Sequence, residues 1–158
     1  MVEFAPGEAL SPTAAAGRKR LERPEGTWKV KWSKSRQDDV AYERANTALR
    51  ESLPELEEAV VLAYEYAEPE APGPHTLYDE TLNPYINKLL DADLETEDAL
   101  KRVFGFIERL SASTDKHVRD IVIATILVNL VGEPRLALAQ RYMGSATRRL
   151  LKKARTVA

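Results

Sequence analysis

The run VIATILVNLVG, residues 122–132, decides the fold, because a stretch this apolar reads as a membrane span, a catalytic strand or a buried helix. Its apolar part, Ile121 to Val128, spans eight residues before Asn129 closes it. A membrane helix needs about 20. Asp115 ahead of it suits a helix N-cap and Gly132 behind it a stop, and no alternating strands flank it, so the spacing predicts a helix. A helix apolar on nearly every side has to be surrounded. The segments 96–112 and 134–156 are the natural shell. The chain is therefore expected to be all-α, a single-domain helical bundle or a stack of antiparallel helix pairs. If segment 115–131 is an interior rod, only the charged exterior is left for function. A pocket along it where ionisable groups converge would argue against a binding module.

Outward from that rod, each neighbour carries its own signals. Leu100, Val103, Phe104, Ile107 and Leu110 mark the buried face of a helix that Thr96 can cap, with Glu97 and Asp98 well placed in its first turn. Pro134 opens the next helix, and Gly144 with Ser145 separates it from a basic last helix carrying Leu150 and Leu151. Upstream, a helical period begins at about Asp38 and runs through Ala41, Ala45, Ala48, Leu49 and Leu53. Pro54 bends the chain into a further helix with Leu56, Val60, Ala63 and Ala67 inward. After EPEAPGPH, residues 68–75, Thr76 can cap a helix with Tyr78, Leu82, Ile86, Leu89 and Leu90 inward, which Pro84 kinks or restarts. Residues 1–34 form a flexible or extended N-terminal arm, and 35–158 the helical domain. Within the arm, Trp28, Val30 and Trp32 alternate with Lys29 and Lys31, the period of an extended segment with one apolar edge.

The chain has 158 residues, 44% of them apolar and 30% charged, the composition of a folded protein with a real core. It has no cysteine, which removes disulfides, thiolate metal sites and cysteine nucleophiles together. The first residues lack the basic start and apolar middle of a secretion signal, so the chain reads as cytoplasmic. The net charge of −2 hides a segregation: residues 51–98 hold fourteen acids against Lys88 alone, and 99–158 hold twelve bases against four acids. Most of these charges are expected to pair or to face water. A field of one sign on this scale also steers partners of the opposite sign.

No motif carries catalysis: there is no glycine-rich phosphate loop, G-x-S-x-G or H-E-x-x-H. His75 and Asp79 are four apart with Glu80 adjacent, a spacing that could present a metal or general-base pair. They are read more simply as residues of a helix start. His117 reads as a surface histidine. DADLETED, residues 91–98, imitates a calcium loop but has Thr96 where the loop requires glycine and Arg102 where it requires glutamate. No catalytic residue, cofactor or metal is therefore expected.

LYDETLNPYINKLLD, LKRVFGFIERLSASTDKHVRDIVIATILVNL and RYMGSATRRLL together resemble a group of small, uncharacterised, all-helical bacterial proteins, over residues 76–151. Some of that group are associated with polymorphic toxins as immunity partners. The resemblance implies a helical interaction domain and supplies no site residues. The leading expectation is a non-enzymatic protein-binding module of the immunity type. Its face would be Glu55, Glu57, Glu58, Glu65, Glu68, Asp79, Glu80, Asp91, Asp93 and Glu95, set against a basic partner, with Tyr64, Tyr66 and Tyr78 as exposed anchors. The alternative is a nucleic-acid-binding or scaffold protein using Arg18, Lys19, Arg20, Trp28, Lys29, Lys31 and Trp32 of the arm with Arg148, Arg149, Lys152 and Lys153 of the tail. The arm residues also suit an acidic protein face, and that reading is preferred because the acidic middle repels a polyanion.

Overall fold

A computed structural model describes residues 39–92 and 95–158, within the unit Asp39–Ala158. The expectations for the arm, including its boundary at residue 34, lie outside the described residues. Among the described residues there are seven helices and no strand. They are α1 (Ala45–Ser52), α2 (Glu57–Ala67), α3 (74–91), α4 (Glu97–Ser111), α5 (116–130), α6 (Leu136–Gln140) and α7 (Ser145–Val157). None is long and apolar enough to cross a membrane.

The opening stretch is the end of α5. Asp115 caps it as expected, accepting from the His117 N–H at 2.9 Å. Gly132 stops it in the left-handed region at φ +87°, where a side chain would be strained. Val118, Ile121, Val122, Ile126 and Leu127 are fully buried. α7 packs on the middle of α5 and on α4. The enclosure is incomplete, because Ala124 and Asn129 are exposed and Ile123 and Val128 half-buried. The rod therefore has one open side.

Two wide turns interrupt the long helices. At Tyr78–Leu82 of α3 the Asn83 N–H reaches back five residues to the Tyr78 carbonyl, and at Val122–Leu127 of α5 the Val128 N–H does the same to Ile123. Such π-turns hold one extra residue. Pro84 gives a reason for the first, since it lacks an N–H and its ring crowds the carbonyl four residues back. We have no comparable account of the second. The two turns pack against each other.

Several helix starts differ from expectation. Thr76 is not a cap: Pro74 stands at the first helical position of α3 behind an extended Gly73, the place that proline's fixed φ and missing N–H suit. Pro134 lies in a turn, and α6 starts two residues later at Leu136. Thr96 occupies the N-cap of α4 but makes no side-chain bond there. The helical period expected from about Asp38 is not present at residues 39–41. Asp39 instead accepts from the Thr114 N–H at 3.0 Å and from the Thr114 hydroxyl, and the Ser113 hydroxyl donates to the Val40 carbonyl at 2.6 Å. Asp115 also accepts from the Tyr42 N–H at 2.8 Å, so that one carboxylate starts both α5 and the 3-10 turn Tyr42–Arg44 ahead of α1. Those bonds hold residues 39–42 against the turn before α5, and helix begins only beyond them.

A second carboxylate joins α4 to α7. Glu108 accepts from the Ala146 N–H at 2.9 Å, the Thr147 N–H at 3.0 Å and the Thr147 hydroxyl at 2.7 Å. This caps α7 from a neighbouring helix, where its own Gly144 makes no side-chain bond. In the core, the Tyr78 hydroxyl donates to the Ala45 carbonyl at 2.7 Å and its ring stacks on Phe106 at 6.3 Å. Tyr78→Phe removes that buried hydrogen bond. We expect a loss of about 1–2 kcal/mol, measured as a lower urea midpoint at unchanged slope.

Candidate functional site

The acids of residues 51–98 divide into two sets once their partners are known. Glu55 accepts from Arg102 at 2.5 Å and from the Tyr85 hydroxyl at 3.0 Å. Partial burial opposes its charge, but the bonds from Arg102 and Tyr85 outweigh this and hold the carboxyl below its ordinary value. Glu57 is gripped by both ends of the Arg50 guanidinium, which also lies over the Tyr64 ring at 5.7 Å. Asp91 pairs with Arg135 at 2.5 Å. These three are internally matched.

Glu58, Glu65, Glu68 and Glu80 are exposed and have no ion pair among the described residues. Three of them lie on or beside α2. That helix buries Val60 and Ala63, which places Glu58, Val61, Leu62, Glu65 and Tyr66 on its outer side. Val61 is 40% exposed, Leu62 50% and Tyr66 86%. An apolar strip thus runs between carboxylates. Beside it lies a cavity of about 400 Å³ whose lining includes Val61, Tyr64, Glu65, Glu68, Glu70 and Arg50.

The aromatic anchors separate in the same way. Tyr66 is open, and Tyr64 is half-buried with its hydroxyl accepting from the Asn46 amide at 3.3 Å. Tyr78 is not an anchor: it is fully buried, as its place in the apolar stripe of α3 demands. Burial pushes its phenol well above the ordinary value, with Arg109 opposing. Asp93 lies outside the described residues, and Glu95 is exposed in the loop before α4 with φ 66°. Of the basic candidates, Arg148 donates to the Gln140 carbonyl at 2.6 Å and the Met143 carbonyl at 3.1 Å, which makes it a clasp on the end of α6. Arg149, Lys152 and Lys153 are exposed on α7. Arg18, Lys19, Arg20, Trp28, Lys29, Lys31 and Trp32 lie outside the described residues.

A second site lies on the open side of α5, and of its residues the sequence brings together only His75 and Asp79. His75, Thr76 and Asp79 of α3 face Ala124, Thr125 and Asn129 of α5 across a cavity of about 410 Å³. His75 Nδ1 is 2.6 Å from the Thr125 hydroxyl. Asp79 Oδ1 accepts from the amides of Asn83 at 2.9 Å and Asn129 at 3.2 Å. Both amides also donate to the Thr125 carbonyl at 2.9 Å. The spacing of His75 and Asp79 does put them at one site, but Glu80 is not among its lining residues. Thr125 and Asn129, four apart in an apolar run, were the available signal for the rest. Among the described residues no group of three or more His, Asp or Glu is placed to hold a metal ion.

Residues 46–157, more than half of the chain, match the model of a domain family described only as one of unknown function, DUF7674. No curated protein and no solved structure matches.

Proposed function

The chain belongs to that family, and on this premise we propose that it is a non-enzymatic protein-binding module that lays the outer side of α2 on a basic surface of a partner protein. We read it further as an inhibitor of the immunity type, whose carboxylates cover the cationic working surface of a toxin domain. The observation that carries the reading is the strip Val61, Leu62 and Tyr66, left open to water between carboxylates without ion pairs among the described residues. An apolar centre with a charged rim is the arrangement from which protein interfaces draw affinity and specificity respectively. The cavity along α5 is the feature that weighs against a purely external role.

The test is capture of the partner from native extract, followed by affinity measurements on two variants. Reversing Glu58, Glu65, Glu68 and Glu70 to lysine is expected to weaken binding about tenfold and to flatten its dependence on salt. Replacing Leu62 and Tyr66 with alanine is expected to weaken it about as much with the salt dependence intact. Binding unchanged in both variants sinks the α2 face. Capture of nucleic acid in place of a protein would move the assignment to Arg149, Lys152 and Lys153.

A further inference from the structure

Around the meeting point of the two π-turns, three polar atoms are left over when the hydrogen bonds have been counted. His75 uses Nδ1 on Thr125, Asp79 uses Oδ1 on two amides, and Asn129 uses Nδ2 on Asp79 and on the Thr125 carbonyl. That leaves His75 Nε2, Asp79 Oδ2 and Asn129 Oδ1 without a partner among the described residues. All three side chains line the same cavity of about 410 Å³, and among the described residues no lysine or arginine lines it.

We propose that this cavity binds a primary ammonium group, held by His75 Nε2, Asp79 Oδ2 and Asn129 Oδ1. An ammonium carries three N–H donors and no acceptor. The three lining side chains carry three acceptors unused among the described residues, one of them on a carboxylate. A phosphate or carboxylate would meet Asp79 with no cation beside it among the described residues. A transition metal would find two good ligands where three or four are usual. The arrangement requires the His75 proton on Nδ1, donated to the Thr125 oxygen, so that Nε2 accepts. The other bonds prepare the site: the amides of Asn83 and Asn129 fix Asp79, and Thr125 fixes the imidazole, so little ordering is left for the ligand to bring about. The residues are different from those of the α2 strip. Failure of either proposal leaves the other standing.

The experiment is proton–nitrogen NMR of the full chain, including the histidine rings, titrated with n-butylammonium. The expected result is saturable shifts at His75, Asp79, Thr125 and Asn129, with the His75 proton found on Nδ1 in the complex. Tetramethylammonium has the charge without the donors and should bind at least about tenfold more weakly, as loss of charged hydrogen bonds implies. Asp79→Asn, with its thermal midpoint checked, should lose about as much, while Asp98→Asn, exposed on α4, should change nothing. A short acetylated peptide containing one lysine separates the sources: tighter binding than butylammonium points to a lysine of another polypeptide, and equal or weaker binding to a free amine. Equal binding of tetramethylammonium, full retention in Asp79→Asn, a proton on Nε2 in the complex, or a response to zinc ions with none to the amine would each overturn the proposal.

Discussion

Leu127→Ala is expected to remove about 2–5 kcal/mol of stability, while Ile123→Ala, four residues earlier in the same helix, removes about 1 kcal/mol. Leu127 is fully buried where α5 packs on α7, and its deletion leaves a hole that the helices on either side cannot close. Ile123 looks partly toward water, so much of its side chain is never transferred out of it. A domain of this size holds only about 5–15 kcal/mol in all. The first variant should therefore be on the edge of unfolding at physiological temperature and the second should behave almost as the parent. Chemical denaturation of the two settles it. Equal large losses would mean that α5 is enclosed on every side, and equal small losses that it is not the core.

Glu108→Ala is expected to cost about 2–3 kcal/mol, because a charged acceptor leaves two backbone N–H groups and a hydroxyl at the start of α7. Gly144→Ala should reach the same interaction from the other side. A methyl there would sit 2.4 Å from the Glu108 carboxyl carbon. The carboxylate can swing away, but only by giving up its bonds to α7. Both substitutions therefore remove the same contact, and the double variant should cost clearly less than the sum of the single ones. Additive losses would show that Gly144 is required for something else. The contact also makes a prediction in pH. Partial burial raises the Glu108 carboxyl, but the bonds from Thr147 and Ala146, with Arg149 nearby, prevail and hold it below its ordinary value of 4.5. Its contribution is fully present above that value and is lost as the pH falls through the lower, folded one. Glu108→Gln should flatten the loss of stability on acidification, read from urea midpoints between neutral pH and about pH 3.

What the sequence made legible is what acts within a turn or two of itself. Asp115, Gly132, Pro54 and Gly144 mark boundaries through their own backbone chemistry, and each stands where it was expected. The start of α1 does not follow this pattern, because Asp39 and Val40 are held by Ser113 and Thr114, more than seventy positions away. The π-turns were hidden for a different reason. An extra residue in a turn breaks the period that reveals a helix, and it buries Thr125, Ile126 and Leu127 in succession. Tyr78 was counted both as a stripe residue and as an open anchor, and packing allows only the first. The acidic character of residues 51–98 was plain from composition. Which acids stay unmatched depends on where Arg50, Arg102 and Arg135 arrive in space. For His75 and Asp79 the spacing was visible, but Thr125 and Asn129 come from another helix, and so the cavity was not.

The wide turn of α5 also governs how relatives of this chain will line up. A helix that bonds five residues back through one turn contains one residue more than a regular helix would. A homologue with a single-position gap between 122 and 127 would keep its later residues on the same faces, whereas one of equal length with a regular helix there would carry each later residue about 100° further round the axis. Asn129 would then point away from Asp79. Loss of the wide turn without loss of the residue, more than the identity of any one side chain, would divide homologues that have lost the cavity from those that keep it.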